Sequence, residues 1–354
     1  MAARFRLLLV VALVVLVAGV GLVLARRDDP PTTAAAATSS TSTSSSSTTA
    51  ASTTTTVAPT ITTTTVAPTT TTTVPPIAWP ALVGGPRAVV TPTGVVLAVV
   101  RPNADGTFVA RSPCGYEVTV AGTPVMGANV VLDPGHGGDE PGAVGPAGAT
   151  EKAVNLAIAQ ETQRRLEALG ATVVLTRTAD YRITLASRGA IATNLQPQLF
   201  VSVHHNAEPD EVRQTPGAEM YFQIASPESK RASGLIYEEV VGAFSAYDID
   251  WAADLDAGAK YRLRSDGGDY YGILSRTAGV PAVLSEAAFI SNPPEEALLV
   301  DPAFQAVEAE ALTRAIVRYI TTPDPGNGFV EPYPRTQPAG PGGGSSGCTD
   351  PPLS

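Results

Sequence analysis

From residue 129 onward, short apolar runs alternate with longer amphipathic segments. The run NVVLD (129–133) is continuously apolar up to its aspartate, the pattern of a strand covered on both faces. It breaks at a Pro–Gly turn. Beyond the turn, TEKAVNLAIAQETQRRLEALG (150–170) sets Val154, Ile158, Leu166 and Leu169 roughly on one face of a helix, which Gly170 can close. ATVVLTR (171–177) reads as a strand, LASRGAIATNL (185–195) as a helix, and QLFVSV (198–203) and AEMYFQ (218–223) as strands. A helix is expected over 228–243, a strand over PAVLSE (281–286) and a closing helix over PAFQAVEAEALTRAIVRYI (302–320). Strands alternating with helices predict an α/β three-layer sandwich with a largely parallel sheet over 129–322.

Residues 77–128 lack the helical period. RAVVTPTGVVLAVV (87–100) holds a Pro–Thr–Gly turn between apolar runs, NADGTFVA (103–110) an Asp–Gly turn, and GYEVTV (115–120) a further strand. This predicts a small β module ahead of the sandwich.

The two ends read differently. In residues 1–27, Arg4 and Arg6 precede an uncharged run from Leu7 to Ala25. A helix needs about 20 residues to cross a bilayer, so the run is expected to be a membrane anchor, with a cleaved signal segment as the alternative. Residues 28–76 are expected to be a disordered linker: 29 of the 46 positions from 31 to 76 are Ser or Thr, too few apolar groups to offset ordering entropy. Residues 323–354 hold 15 Pro or Gly in 32 positions and are expected to be a disordered tail.

Composition narrows the function. A net charge of −10 argues against nucleic acid and anionic lipid as partners. The two cysteines, Cys114 and Cys348, form no CxxC pattern, which excludes a cysteine-type structural zinc site. Export would permit a disulfide, and the sequence leaves their pairing open.

The chain has three histidines, and they fall after core strands. His136 follows VVLDPG, His204 follows LFVSV, and Glu286 follows PAVLS. In open α/β sheets functional groups collect beyond the carboxyl ends of the strands. Glu151, opening the first helix, lies on the same side. Two histidines and two carboxylates at one edge suit a catalytic zinc, which takes three protein ligands and leaves a fourth position for water. Each residue also has a plainer reading: His136 as a turn residue, Glu151 as a helix-start acid favoured by the macrodipole, Glu286 as a cap. His205 points opposite to His204 if the strand persists, and reads as a packing residue.

The ordered motifs resemble those of the zinc-dependent N-acetylmuramoyl-L-alanine amidases of the Amidase_3 type. VVLDPGHGG (130–138), TEKAVNLAIAQ (150–160), FVSVHHNA (200–207) and PAVLSEAAFISN (281–292) match in sequence, over about Asn129 to Ile320. The family's Glu–Leu–Gly–Phe is here Glu286–Ala287–Ala288–Phe289, and His205 replaces a small residue.

The resemblance implies zinc on His136, Glu151 and His204, with Glu286 as general base. It implies cleavage of the amide between N-acetylmuramic acid and the first L-alanine of peptidoglycan stem peptides. Asp133 and Asn206 are then candidates for orienting the ligands or touching substrate, and His205 for crowding the pocket. Arg188 is expected to pair within the fold rather than meet a substrate carboxylate. The protein would work outside the cytoplasmic membrane, held there by its N-terminal segment or secreted, with an unidentified activator as a further candidate partner. A wall metallopeptidase and a non-catalytic wall-binding homologue are the alternatives. The stretch 245–270 is a candidate lid over the metal.

Overall fold

The computed structural model of the chain describes residues 77–82, 84–208, 215–253, 256–332 and 343–354. The expected membrane segment 1–27 and linker 28–76 lie outside the described residues. No helix among the described residues is long and apolar enough to cross a membrane.

The N-terminal module is an antiparallel sheet of five short strands: β1 (Ala88–Val90), β2 (Val96–Pro102), β3 (Phe108–Arg111), β4 (Glu117–Val120) and β5 (Thr123–Val125), in the order β4-β3-β2-β1-β5. The sandwich follows as β6 (Val130–Pro134), α1 (Glu151–Ala168), β7 (Val173–Leu175), α2 (Leu185–Leu195), β8 (Leu199–Asn206), β9 (Glu219–Phe222), α3 (Pro227–Phe244), β10 (Gly258–Lys260), α4 (Gly272–Arg276), β11 (Ala282–Phe289), α5 (Pro293–Leu299) and α6 (Pro302–Thr321). Its six strands run β10-β9-β11-β8-β6-β7, every pairing parallel except that of β9 with β11.

Side-chain alternation along the buried strands splits the core in two. Val130, Leu132, Leu199, Val201 and Val203 face α1, α3 and α6, meeting Ile158, Leu166, Leu235 and Leu312. Val131, Val174, Phe200 and Leu284 face the other way, toward Ile191 and Leu195 of α2 and Ile273 of α4. Ala88, Val96 and Ala98 of the small sheet join this second core. The β module is therefore a further layer laid outside α2, and its opposite face is closed by Val89, Leu97, Phe108 and Tyr181.

Two expectations need correction. The described residues of the tail, 323–332 and 343–354, are not free. Cys348 is joined to Cys114 by a disulfide, the Thr93 hydroxyl donates to Pro352 O (2.7 Å), and Phe329 forms a β-bridge with Ala259. These attachments replace the apolar surface that the Pro- and Gly-rich composition cannot bury. The described residues of 245–270 form no cover over the histidines. Trp251 is buried against Phe244 and Phe304, Gly258–Lys260 adds the edge strand, and the described residues of the stretch line no part of the cavity that holds His136 and His204.

Candidate active site

Strands β6, β8 and β11 end side by side, and each delivers a polar group to the same edge. Glu286 on β11 is in register with His204 on β8 and, across its other edge, with Glu219 on β9. His136 lies two residues beyond the end of β6, and Glu151 is the first residue of α1.

Glu151 is the hub. Its Oε2 lies 3.0 Å from His136 Nε2 and its Oε1 lies 2.8 Å from His204 Nδ1. The ligand atoms of the three side chains all lie within 4.8 Å of one another. The carboxylate is buried and aimed by the chain: Ala143 N–H donates to Oε2 (2.9 Å), and Asn155 Nδ2 (3.2 Å) and His205 N–H (3.3 Å) donate to Oε1. Gly142 makes room for this. A Cβ there would lie 2.5 Å from Glu151 Oε2 and 2.6 Å from His136 Cδ2, and its φ of +71° suits only glycine.

The protonation states fit a metal. Burial opposes ionisation of Glu151, but the hydrogen bonds and charge of the two imidazoles outweigh it and hold the carboxyl well below its ordinary value. Burial lowers the His204 imidazole, against the pull of Glu151. An ionised carboxylate and a neutral imidazole are the forms a metal ion requires. Nitrogen and carboxylate donors in a group of three suit zinc with one position left open.

His136 carries a φ of +59°, which costs about 1–3 kcal/mol unless its surroundings impose it. Two buried guanidinium groups impose it. Arg188 donates to Pro134 O (2.7 Å) and His136 O (2.7 Å), and pairs with Asp133 Oδ1 at 2.6 Å. Arg177 donates to Pro134 O (2.9 Å), Gly135 O (2.8 Å) and Lys152 O (2.7 Å). Burial first, then the like charge of Arg188, pushes Arg177 down to about 10, so it remains a cation at neutral pH. Asp133 also accepts from the Thr176 and Ser202 hydroxyls at 2.5 and 2.7 Å. It thus supports the turn through Arg188, and it lines the same cavity as His136 and His204.

The remaining sequence candidates divide. His205 is buried on the opposite face from His204, with Nδ1 2.8 Å from Asn155 Oδ1 and Nε2 3.1 Å from Glu308 Oε2. It braces the Asn155 amide that meets Glu151 and does not reach the cavity. Asn206 donates to Glu219 Oε2 (2.8 Å), as does the Tyr221 hydroxyl (2.6 Å). Lys260 is buried 3.5 Å from Glu219 Oε1, so this carboxylate beside Glu286 is compensated. Sequence reasoning missed Asn155, Arg177, Glu219 and Glu308. The available signal was a charged residue at the end of the run ATVVLTR and another near the start of the run AEMYFQ.

The cavity above these groups encloses about 570 Å³, and His136, His204, Glu286, Arg188, Tyr271 and Leu185 are among its lining. Burial, then the charges of Glu286 and Glu219, raises Tyr271, so its hydroxyl stays protonated beside the carboxylates. The geometry supplies one metal-binding corner, one separate carboxylate on the neighbouring strand and an open cleft, the parts of a metal-assisted hydrolase.

The Amidase_3 family, described as N-acetylmuramoyl-L-alanine amidase, matches residues 130–318. The chain is 30% identical over 223 residues to the N-acetylmuramoyl-L-alanine amidase AmiC of Neisseria meningitidis serogroup B, covering 54% of this chain and 53% of that protein. It is 32% identical over 213 residues to the uncharacterized protein YqiI of Bacillus subtilis, covering 58% and 94%. The chain therefore spans about half the length of the meningococcal relative. Among solved structures, the N-acetylmuramoyl-L-alanine amidase of Clostridium difficile 630 is 26% identical with a TM-score of 0.48, covering 56% of this chain and 98% of that one.

Proposed function

Since the chain belongs to the Amidase_3 family, we propose that it is a zinc-dependent peptidoglycan amidase, cleaving the bond between N-acetylmuramic acid and the L-alanine of the stem peptide. The observation that carries this is the register of Glu286 with His204: a carboxylate outside the three-residue cluster, one strand away, at the floor of the same cleft.

His136, Glu151 and His204 would hold the metal. Bound there, zinc supplies a Lewis acid and a water whose pKa is brought toward neutrality. Glu286 accepts the proton of the attacking water and returns it to the leaving amine of L-alanine. Arg177, Arg188 and Asp133 keep the His136 turn fixed throughout, so the ligand set does not relax as charge develops. Tyr271 offers a protonated hydroxyl at the cleft wall, a donor for a substrate carbonyl.

The site of action follows the substrate. We assign the folded part to the wall side of the cytoplasmic membrane, tethered through residues 1–27 or secreted. The Cys114–Cys348 disulfide supports this, because disulfides persist in oxidising compartments.

The test is digestion of purified peptidoglycan by the zinc-loaded protein, with mass analysis of the ends released. Free lactyl carboxylates and new L-alanine amino termini are expected. New termini inside the stem peptide would make the protein a metallopeptidase, and binding without new ends would make it a wall-binding homologue.

A further inference from the structure

The C-terminal segment Gly343–Ser354 reaches the cleft. Gly343 lines the same cavity as His136, His204 and Glu286. Its carbonyl accepts from Leu185 N–H (3.0 Å), and its N–H donates to Glu140 Oε1 (3.3 Å). Arg182 Nη2 donates to Gly344 O (2.8 Å) and pairs with Glu140 (2.9 Å), and its Nη1 pairs with Asp139 (3.1 Å). Only glycine fits at this crossing: φ is +77°, and a Cβ would lie 2.5 Å from Leu185 Cγ.

Beyond the crossing the segment is fastened to the β module. Cys348 is bonded to Cys114, Cys114 N–H donates to Asp350 Oδ1 (2.8 Å), and Leu353 packs against the module's outer core. The Cys114 turn is itself tied to the start of α2: Thr184 N–H donates to Pro113 O (2.9 Å) and the Ser187 hydroxyl to Ser112 O (2.8 Å). The disulfide, the head of α2 and the cleft wall at Leu185 thus form one unit.

We propose that Gly343–Ser354 is a specificity-determining wall of the substrate cleft, held in place by the Cys114–Cys348 bond, which admits a single stem peptide and turns away cross-linked ones. The inference rests on the reading that the cleft takes peptidoglycan stem peptides. The mechanism is steric. Gly343 is held through both of its backbone polar groups, its carbonyl on Leu185 N–H and its N–H on Glu140, so a second peptide branch leaving the cleft on that side meets fixed main chain. A cavity of about 570 Å³ suits one ligand arm, since sites for small ligands run from roughly 300 to 1,000 Å³.

The test compares the full chain with its Cys114→Ser/Cys348→Ser double variant. The probes are a disaccharide–stem-peptide monomer and its cross-linked dimer. Affinity is measured calorimetrically on metal-free protein and turnover on zinc-loaded protein. Hydrogen exchange over 343–353 reports release of the strap, and cooperative thermal unfolding reports the fold. Release should raise dimer affinity and dimer kcat/KM by about tenfold or more while the monomer values change little. Gly343→Val, which lifts the strap with the disulfide intact, should shift the dimer-to-monomer ratio the same way, and serves if the cysteine variant does not fold. An unchanged ratio in a variant whose strap is released overturns the proposal. Equal loss on both probes also overturns it, making the segment part of the scaffold. Because affinity is read without zinc, binding without cleavage would sink the amidase reading and leave the strap standing; no binding of either probe would sink both.

Discussion

Arg188 Nη1 lies 2.6 Å from Asp133 Oδ1, and both side chains are buried. The pair sits under the turn that carries His136, and Arg188 donates to two carbonyls of that turn. Removing one partner of a buried pair leaves the other charge uncompensated, at a cost of about 3–5 kcal/mol. Arg188→Ala should therefore lower the unfolding midpoint sharply. Zinc affinity should fall as well, because the turn loses the bonds that impose its backbone. An unfolding curve superimposable on the parent's would contradict this placement of Arg188.

The same pair sets an acid limit. Burial works against Asp133, but Arg188 and the Thr176 and Ser202 hydroxyls hold its carboxyl below the ordinary value. A carboxyl whose folded pKa lies below its unfolded value, about 3.9, stabilises the fold above that value and loses the contribution as pH falls through the folded one. Stability measured with chelator present should start to fall below about 6.5, where the lowered His204 imidazole resists protonation, and the Asp133 contribution should add a further decline below about 4. Asp133→Asn should flatten part of that decline; an identical acid slope in the variant would assign the effect elsewhere.

Neighbouring histidines should separate cleanly. His204→Ala removes a cluster member and should abolish zinc binding, read by metal analysis after dialysis. His205→Ala should keep the metal, since its ring points to Asn155 and Glu308 on the far face. It leaves those two buried groups unpartnered, so it should cost stability, about 1–3 kcal/mol. The reverse pattern would exchange the two roles.

Glu286→Gln is nearly isosteric and outside the cluster, so it should retain zinc and fold. An amide cannot accept a proton at neutral pH, and general-base catalysis contributes about 10²–10⁴-fold, so hydrolysis should fall by at least that order while substrate still binds. Loss of zinc in this variant would make Glu286 a fourth ligand. Full activity would move the acid–base role to another group.

Much of the framework was legible because its signals are local. The runs at 130–132, 173–175 and 199–203 are buried on both sides, and the periods of α1, α2 and α6 repeat within a few residues. His136, Glu151, His204 and Glu286 could be read as a set because each sits at a strand end or helix start. The hidden parts are those whose partners lie far along the chain. Arg177 answers to Pro134 and Gly135, Glu308 to His205, and Cys348 to Cys114 across 234 residues. None of these carries a period. The strand Gly258–Lys260 is three residues long with a buried lysine, and its composition gives no strand signal.

The position of β11 has a consequence for when the protein becomes active. It is the last strand of the sheet in chain order, yet it lies between β8 and β9. A chain that stops before Ala282 has His136, His204 and Glu151, but β8 keeps an open edge, β9 and β10 have no attachment to the rest of the sheet, and Glu286 is missing from its place beside His204. Proteolytic fragments or unfinished chains of that length therefore hold His136, Glu151 and His204 without Glu286. On the proposed reading, the acid–base group therefore arrives only with the last fifth of the polypeptide, and a shorter chain would carry the three-residue cluster without it.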